Sequence, residues 1–267
     1  MMNAVKLIAL NTTGYLLSRK TIYVLFFIAL IVLLITGADL YDIFTYEPST
    51  DPKALLSQQA SILSRMFSTW SVLTTLASII AAAGVVYSDI KSKIVLGVLA
   101  KPVTRWQYLV GKWFGVLLFF YGFLALGLLT VIILMLFWDI SITGLFVTVV
   151  FNQVMILTVY SGIAFTLSLF IAPMLAGGIS FVFFSFGSLF EQLTRADMWW
   201  ASLLGSILYY VQPAIVKENL LEKGVLNNLL DPNFSLFWNV ITENLLYAAL
   251  IFFIAVIFFQ KKDIVAN

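Results

Sequence analysis

The chain contains neither histidine nor cysteine, so the usual bases, thiolates and soft metal ligands of enzyme sites are absent. Serine–histidine and cysteine–histidine catalysis, zinc centres, haem ligation through these residues and disulfides are excluded together. What remains is charge and hydrogen bonding. The densest concentration lies in 88–112, where Asp89, Lys91, Lys93, Lys101, Arg105 and Lys112 stand in an otherwise apolar chain. Gly111-Lys112 is half of a phosphate cradle of the form Gly-x-x-x-x-Gly-Lys, but Trp106 occupies the position that must be glycine. The chain is therefore expected not to be an enzyme, to bind no metal and to hold no cofactor of its own.

A second group consists of uncharged residues inside apolar runs. Asn152 and Gln153 are costly in lipid and are expected to face protein, as interhelical hydrogen-bonding groups before substrate contacts. Gly177 and Gly178 permit close helix approach, with packing favoured over a gating hinge. No Asp, Glu, Lys or Arg stands in the middle of an apolar run, which counts against an ion-coupled carrier. The lack of paired intramembrane aspartates, with the missing histidine, also makes an intramembrane protease remote.

The elements that must position these residues are set by composition. Hydrophobic residues make up 62% of the chain and charged ones 10%, against roughly 25% charged in soluble domains, so the expected solvent is lipid. A bilayer core needs about 20 apolar residues per helix, and six stretches qualify: 21–37, 67–87, 113–138, 142–170, 174–190 and 240–259. The apolar run 142–190 would make about 73 Å of helix, too long for one crossing, and Pro173 near its middle predicts a hairpin turning at 171–174. The expected fold is an all-α polytopic membrane protein forming one transmembrane domain. Residues 1–20 are expected to form an interfacial helix, not a cleavable signal. Segment 191–239 lies on the outer side, where the aromatic stretch 198–216, with Trp199, Trp200, Tyr209 and Tyr210, lies along or dips into the surface.

Six spans with the N-terminus inside place Lys6, Arg19, Lys20, Lys91, Lys93, Lys101, Arg105, Lys112, Lys261 and Lys262 on the inner side. Only Lys53, Arg65, Arg195, Lys217 and Lys223 fall outside. This asymmetry satisfies the positive-inside rule, and both termini are expected in the cytoplasm of a cell with this chain in its inner membrane. The net charge of +2 gives no argument for nucleic acid.

Within 88–112, Ile94, Val95, Val98 and Leu99 are spaced as one apolar stripe, flanked by Lys91, Lys93 and Lys101. Pro102 disfavours helix at Lys101, and Thr104 can cap a helix beginning near Arg105. Asp89 can pair locally with Lys93 or contact a partner.

This loop resembles that of the ABC-2 family of transporter membrane subunits, through Asp89, Leu99, Pro102, Val103, Thr104, Arg105, Tyr108, Gly111 and Lys112. The nearer likeness is to permeases of the copper-enzyme-maturation type. The family usually has Glu at position 89 and Gly-Thr at 93–94, departures that point to a dedicated ATPase partner. The resemblance implies that the helix before Pro102 is a cytoplasmic coupling helix between spans 2 and 3. Asp89, Lys91, Lys93, Val95, Val98, Leu99, Lys101, Pro102 and Arg105 would form the ATPase-coupling site. It also implies two copies of a separate ATPase subunit that binds ATP and Mg, a second permease copy, most simply identical, and room for an outer-face partner. The function expected is that of a permease subunit coupling ATP hydrolysis to substrate export or conformational signalling. The alternatives are an ion-coupled secondary carrier and a non-transporting membrane scaffold.

Overall fold

A computed structural model describes residues 2–20, 23–24, 27–31, 34–35, 52–100, 102–137, 144–196, 198–213 and 234–261. All regular structure among the described residues is helical. That is the solution lipid demands, because a helix satisfies its backbone groups within its own segment. The helices are α1 (Met2–Ser18), α2 (Pro52–Lys91), α3 (Ile94–Leu99), α4 (Arg105–Phe137), α5 (Gly144–Leu167), α6 (Pro173–Ser185), α7 (Gly187–Thr194), α8 (Trp199–Val211) and α9 (Phe234–Lys261). Four of them, α2, α4, α5 and α9, contain stretches long and apolar enough to cross a membrane, and α6 is a shorter apolar helix. Of the expected span 21–37, residues 23–24, 27–31 and 34–35 are described and helical, and the remaining eight lie outside the described residues.

Helix boundaries outrun the expected spans, because hydropathy registers membrane depth whereas helix ends obey caps and prolines. α2 is 40 residues long, about 60 Å, and continues through much of the stretch 38–66 that separates the first two expected spans. Its start at Pro52 suits a residue whose missing N–H is not needed in the first turn. α5 ends in a tight turn in which Leu169 N bonds Thr166 O and Phe170 N bonds Leu167 O, and Pro173 opens α6. The hairpin expected from Pro173 is present. The expected span 174–190 is not one straight helix: Phe186 (φ −107°, ψ 21°) separates α6 from α7. Hydrogen bonds from Phe186 N to Val182 O and from Phe190 N to Phe186 O keep the pair together as one kinked helix. α8 then folds back onto α7, with Ser202 Oγ donating to Thr194 O at 3.0 Å.

The core forms where α2, α4, α5 and α9 meet, around Ile79, Val86, Leu109, Phe120, Leu157, Tyr160 and Phe165, all almost fully buried. α1 is built onto α4 through glycines. A Cβ at Gly111 would lie 2.7 Å from Ile8 Cβ, and one at Gly115 would lie 2.5 Å from Thr12 Cβ and 2.6 Å from the Ala9 carbonyl oxygen. Gly111-x-x-x-Gly115 is thus the small-residue spacing that lets helices approach closely in membranes, and Thr13 Oγ1 adds a bond to Gly115 O at 3.1 Å. The order of these contacts shows α1 running alongside α4 in the same direction, with Leu7, Leu10 and Leu17 turned outward.

Candidate functional site

The last turn of α2 brings Asp89 into the protein. Its Oδ2 accepts a hydrogen bond from the Tyr108 hydroxyl at 2.6 Å and faces Lys112 Nζ at 2.6 Å, with both ionised side chains more than nine-tenths buried. Tyr108 and Lys112 are i, i+4 neighbours and so share one face of α4. The Lys112 ammonium also lies 5.8 Å from the centre of the Tyr108 ring. One carboxylate oxygen thus gathers a cation and a phenol, joining the helix before α3 to the helix after it.

Between these anchors the chain reverses. Ser92 N bonds Ser88 O and Lys93 N bonds Ile90 O, and Lys93 adopts the left-handed conformation at φ 59°, ψ 11°. For a residue with a Cβ this costs about 1–2 kcal/mol. A glycine at this position would adopt it without that strain. α3 follows for six residues. Val95 is fully buried and Val98 half-buried against the core, whereas Ile94, Leu96 and Gly97 are exposed. The apolar stripe expected from spacing is therefore divided: its valines hold α3 to the protein and Ile94 faces out. Lys91, Lys93 and Pro102 are exposed, so the outward face of the loop combines basic and apolar groups. Lys101 and the side chain of Leu99 lie outside the described residues.

Thr104 precedes α4, and its backbone N–H donates to Gln107 Oε1 at 3.0 Å. That is the returning half of a capping box, in which the third helical residue bonds back to the cap. Arg105 then reaches across to α9, its guanidinium donating to the carbonyls of Gln260 at 2.9 Å and Phe259 at 3.3 Å. A cation over the exposed carbonyls of a helix end satisfies groups that have no intrahelical partner. Tyr108 stacks on Phe259 at 5.9 Å between ring centres. The loop is consequently fixed to three long helices, α2, α4 and α9.

The uncharged group lies deeper. Gln153 of α5 bonds the Ser71 hydroxyl, and its amide nitrogen donates to Ser71 O at 3.2 Å and Thr75 Oγ1 at 3.3 Å. Thr75 is about 21 Å along α2 from Asp89. Neighbouring Asn152 is buried with no partner for its Oδ1 among the described residues, as is the Thr74 hydroxyl. Gly177 faces Ile79 and Ala83 of α2, where a Cβ would make ordinary contact, and at Gly178 a Cβ would meet nothing within 4 Å among the described residues.

The sequence reading missed the Asp89–Lys112 pair, the role of Tyr108, the Gln107 cap and the Gly111/Gly115 seat of α1. Signals for three of them exist: Thr-x-x-Gln before an apolar run, Tyr108 and Lys112 at i, i+4, and Gly-x-x-x-Gly. The pairing of Asp89 with Lys112 has no local signal, since only the return of the chain brings them together. No protein-family model matches the chain, and no curated protein matches it in sequence.

Proposed function

We propose that the chain is the membrane-spanning permease subunit of an ATP-binding-cassette transporter, driven through α3 by a separate ATPase subunit that binds ATP and Mg. The observation that carries this reading is the mounting of α3: a short helix with exposed Lys91, Lys93, Ile94 and Leu96 on its side of the loop, set between α2 and α4 by the buried Asp89–Lys112–Tyr108 contact. A force applied to such a helix moves the long helices rather than bending a loop, which is what coupling between two packed bodies needs. Arg105 extends the linkage to α9. Six crossings, cytoplasmic termini, two ATPase copies and a second copy of this chain complete the reading. Arg105 serves in it as a link between helices, and the ATPase meets Lys91, Lys93 and the outer side of α3.

The test is reconstitution in liposomes with the ATPase subunit that co-purifies with the tagged chain. Intact chain is expected to stimulate ATP hydrolysis, and Leu99→Pro, which breaks α3, to abolish that stimulation while the complex remains assembled in the membrane. Recovery of no ATPase, or full stimulation by Leu99→Pro, refutes the reading. A gradient-driven carrier would instead transport under an imposed ion gradient with no ATPase present.

A further inference from the structure

α8 ends where Pro213 follows. The residue before a proline is pushed to extended backbone, and Gln212 adopts φ −68°, ψ 144°. This break turns its side chain off the exposed face of α8: Tyr210 and Val211 are 79% and 49% exposed, and Gln212 only 3%. Yet neither Oε1 nor Nε2 of Gln212 has a hydrogen-bond partner among the described residues. A buried carboxamide left without partners costs more than its bonds would contribute, so the group calls for a ligand.

Its surroundings define what that ligand can be. The Val211 carbonyl, in the same peptide unit as the Gln212 nitrogen, accepts from the Tyr247 hydroxyl at 2.8 Å. The phenol oxygen therefore lies beside Gln212 and keeps its capacity to accept. Tyr247 belongs to Trp238–Gln260, the stretch of α9 long and apolar enough to cross a membrane. α5 runs beside α9 in register, with Met155 against Val240 and Ile241 and Thr166 Oγ1 donating to Ile251 O at 3.4 Å. That register sets Tyr160 level with Leu245, about 3 Å along the axis from Tyr247. The Tyr160 hydroxyl reaches only Phe183 O, at 3.4 Å, longer than the roughly 2.5–3.0 Å of a good O–H···O bond. A second hydroxyl with capacity to spare thus stands at this level.

Charge decides the class of ligand. Residues 144–167, 173–185 and 198–213 carry none, and Glu243 is the one charged residue between 234 and 260. Exposed and one turn from Tyr247, Glu243 repels a phosphate or carboxylate, and no cation on these segments would hold one. A cationic ligand would be opposed by the amide N–H groups. A carboxamide presents a donor and an acceptor side by side, and its complement is an uncharged group that offers both. The approach to it is apolar, because the Tyr247–Val211 bond is exposed between Val211 on one helix and Leu246 and Leu250 on the other, all exposed.

We propose that Gln212, with the Tyr247 hydroxyl beside it, binds the uncharged head of a membrane amphiphile such as a diacylglycerol. The ligand hydroxyl donates to Gln212 Oε1, an ester carbonyl accepts from Nε2, and the acyl chains lie along Val211, Leu246 and Leu250.

The full chain is reconstituted in phosphatidylcholine vesicles containing a photoactivatable diacylglycerol, or the same diazirine-bearing acyl chains under a phosphocholine head. The diacylglycerol probe is expected to label peptides that contain Val211 or Leu246, and excess unlabelled diacylglycerol to suppress that labelling. Gln212→Leu and, should it fail to fold, Gln212→Met are expected to lower labelling roughly tenfold. Tyr210→Phe, on the exposed face of α8, is expected to leave it unchanged. Equal labelling by the phosphocholine probe would show bulk lipid only and overturn the proposal, as would unchanged labelling of the Gln212 variants. Absence of saturable labelling would also overturn it, and a lower thermal unfolding midpoint for Gln212→Met would then assign the amide to trapped water. No ATPase takes part, so the outcome is independent of the transporter reading.

Discussion

Lys112 of α4 and Asp89 of α2 meet at 2.6 Å inside the protein, closing the loop that carries α3. Two charges removed from water are tolerated only because each compensates the other and Tyr108 occupies the same carboxylate oxygen.

Breaking this pair from one side is expected to be worse than removing it. Asp89→Asn and Lys112→Met should each lower stability by about 3–5 kcal/mol, whereas Asp89→Leu combined with Lys112→Met should recover most of that loss. Unfolding of the four-member mutant cycle in detergent micelles measures the coupling. Additive losses would show that the two side chains contribute separately. Tyr108→Phe should cost about 1.5–3 kcal/mol, the range for a hydrogen bond to a charged group.

Lys93 holds a left-handed backbone at φ 59°, so Lys93→Gly should raise stability. The gain is expected to be about 1 kcal/mol, because relief of strain is partly offset by the greater freedom of glycine in the unfolded chain. Lys93→Ala should give no gain, since alanine carries the same Cβ. The midpoints of thermal unfolding for the two variants separate backbone strain from loss of charge.

The seat of α1 on α4 depends on missing side chains. Gly115→Ala places a methyl 2.5 Å from Thr12 Cβ and 2.6 Å from a backbone oxygen, and should cost about 1–3 kcal/mol. Gly178→Ala meets nothing within 4 Å among the described residues, so it avoids this steric cost and should be neutral or slightly stabilising. Protease protection of the N-terminal segment in liposomes should fall for the first variant and stay unchanged for the second.

Composition and apolar run length by themselves decided that this chain belongs in lipid as a set of helices, because no other secondary structure made from such runs satisfies its backbone there. Pro173 likewise sufficed for the turn between α5 and α6, its fixed φ and absent N–H acting locally, and Thr104 marked the start of α4. The face of α3 was only half legible: periodicity grouped Ile94 with Val95, but contact with the rest of the bundle decided that Val95 points in and Ile94 out. The same holds for Asp89 and Arg105. For Asp89 the sequence offered Lys93 or an external partner and for Arg105 an external partner alone, whereas packing gave Asp89 to Lys112 and Arg105 to the end of α9. Local sequence carries the cost of bending or burying a segment, but the partner of a charge depends on which helices return to its side. Only the assembled bundle settles that.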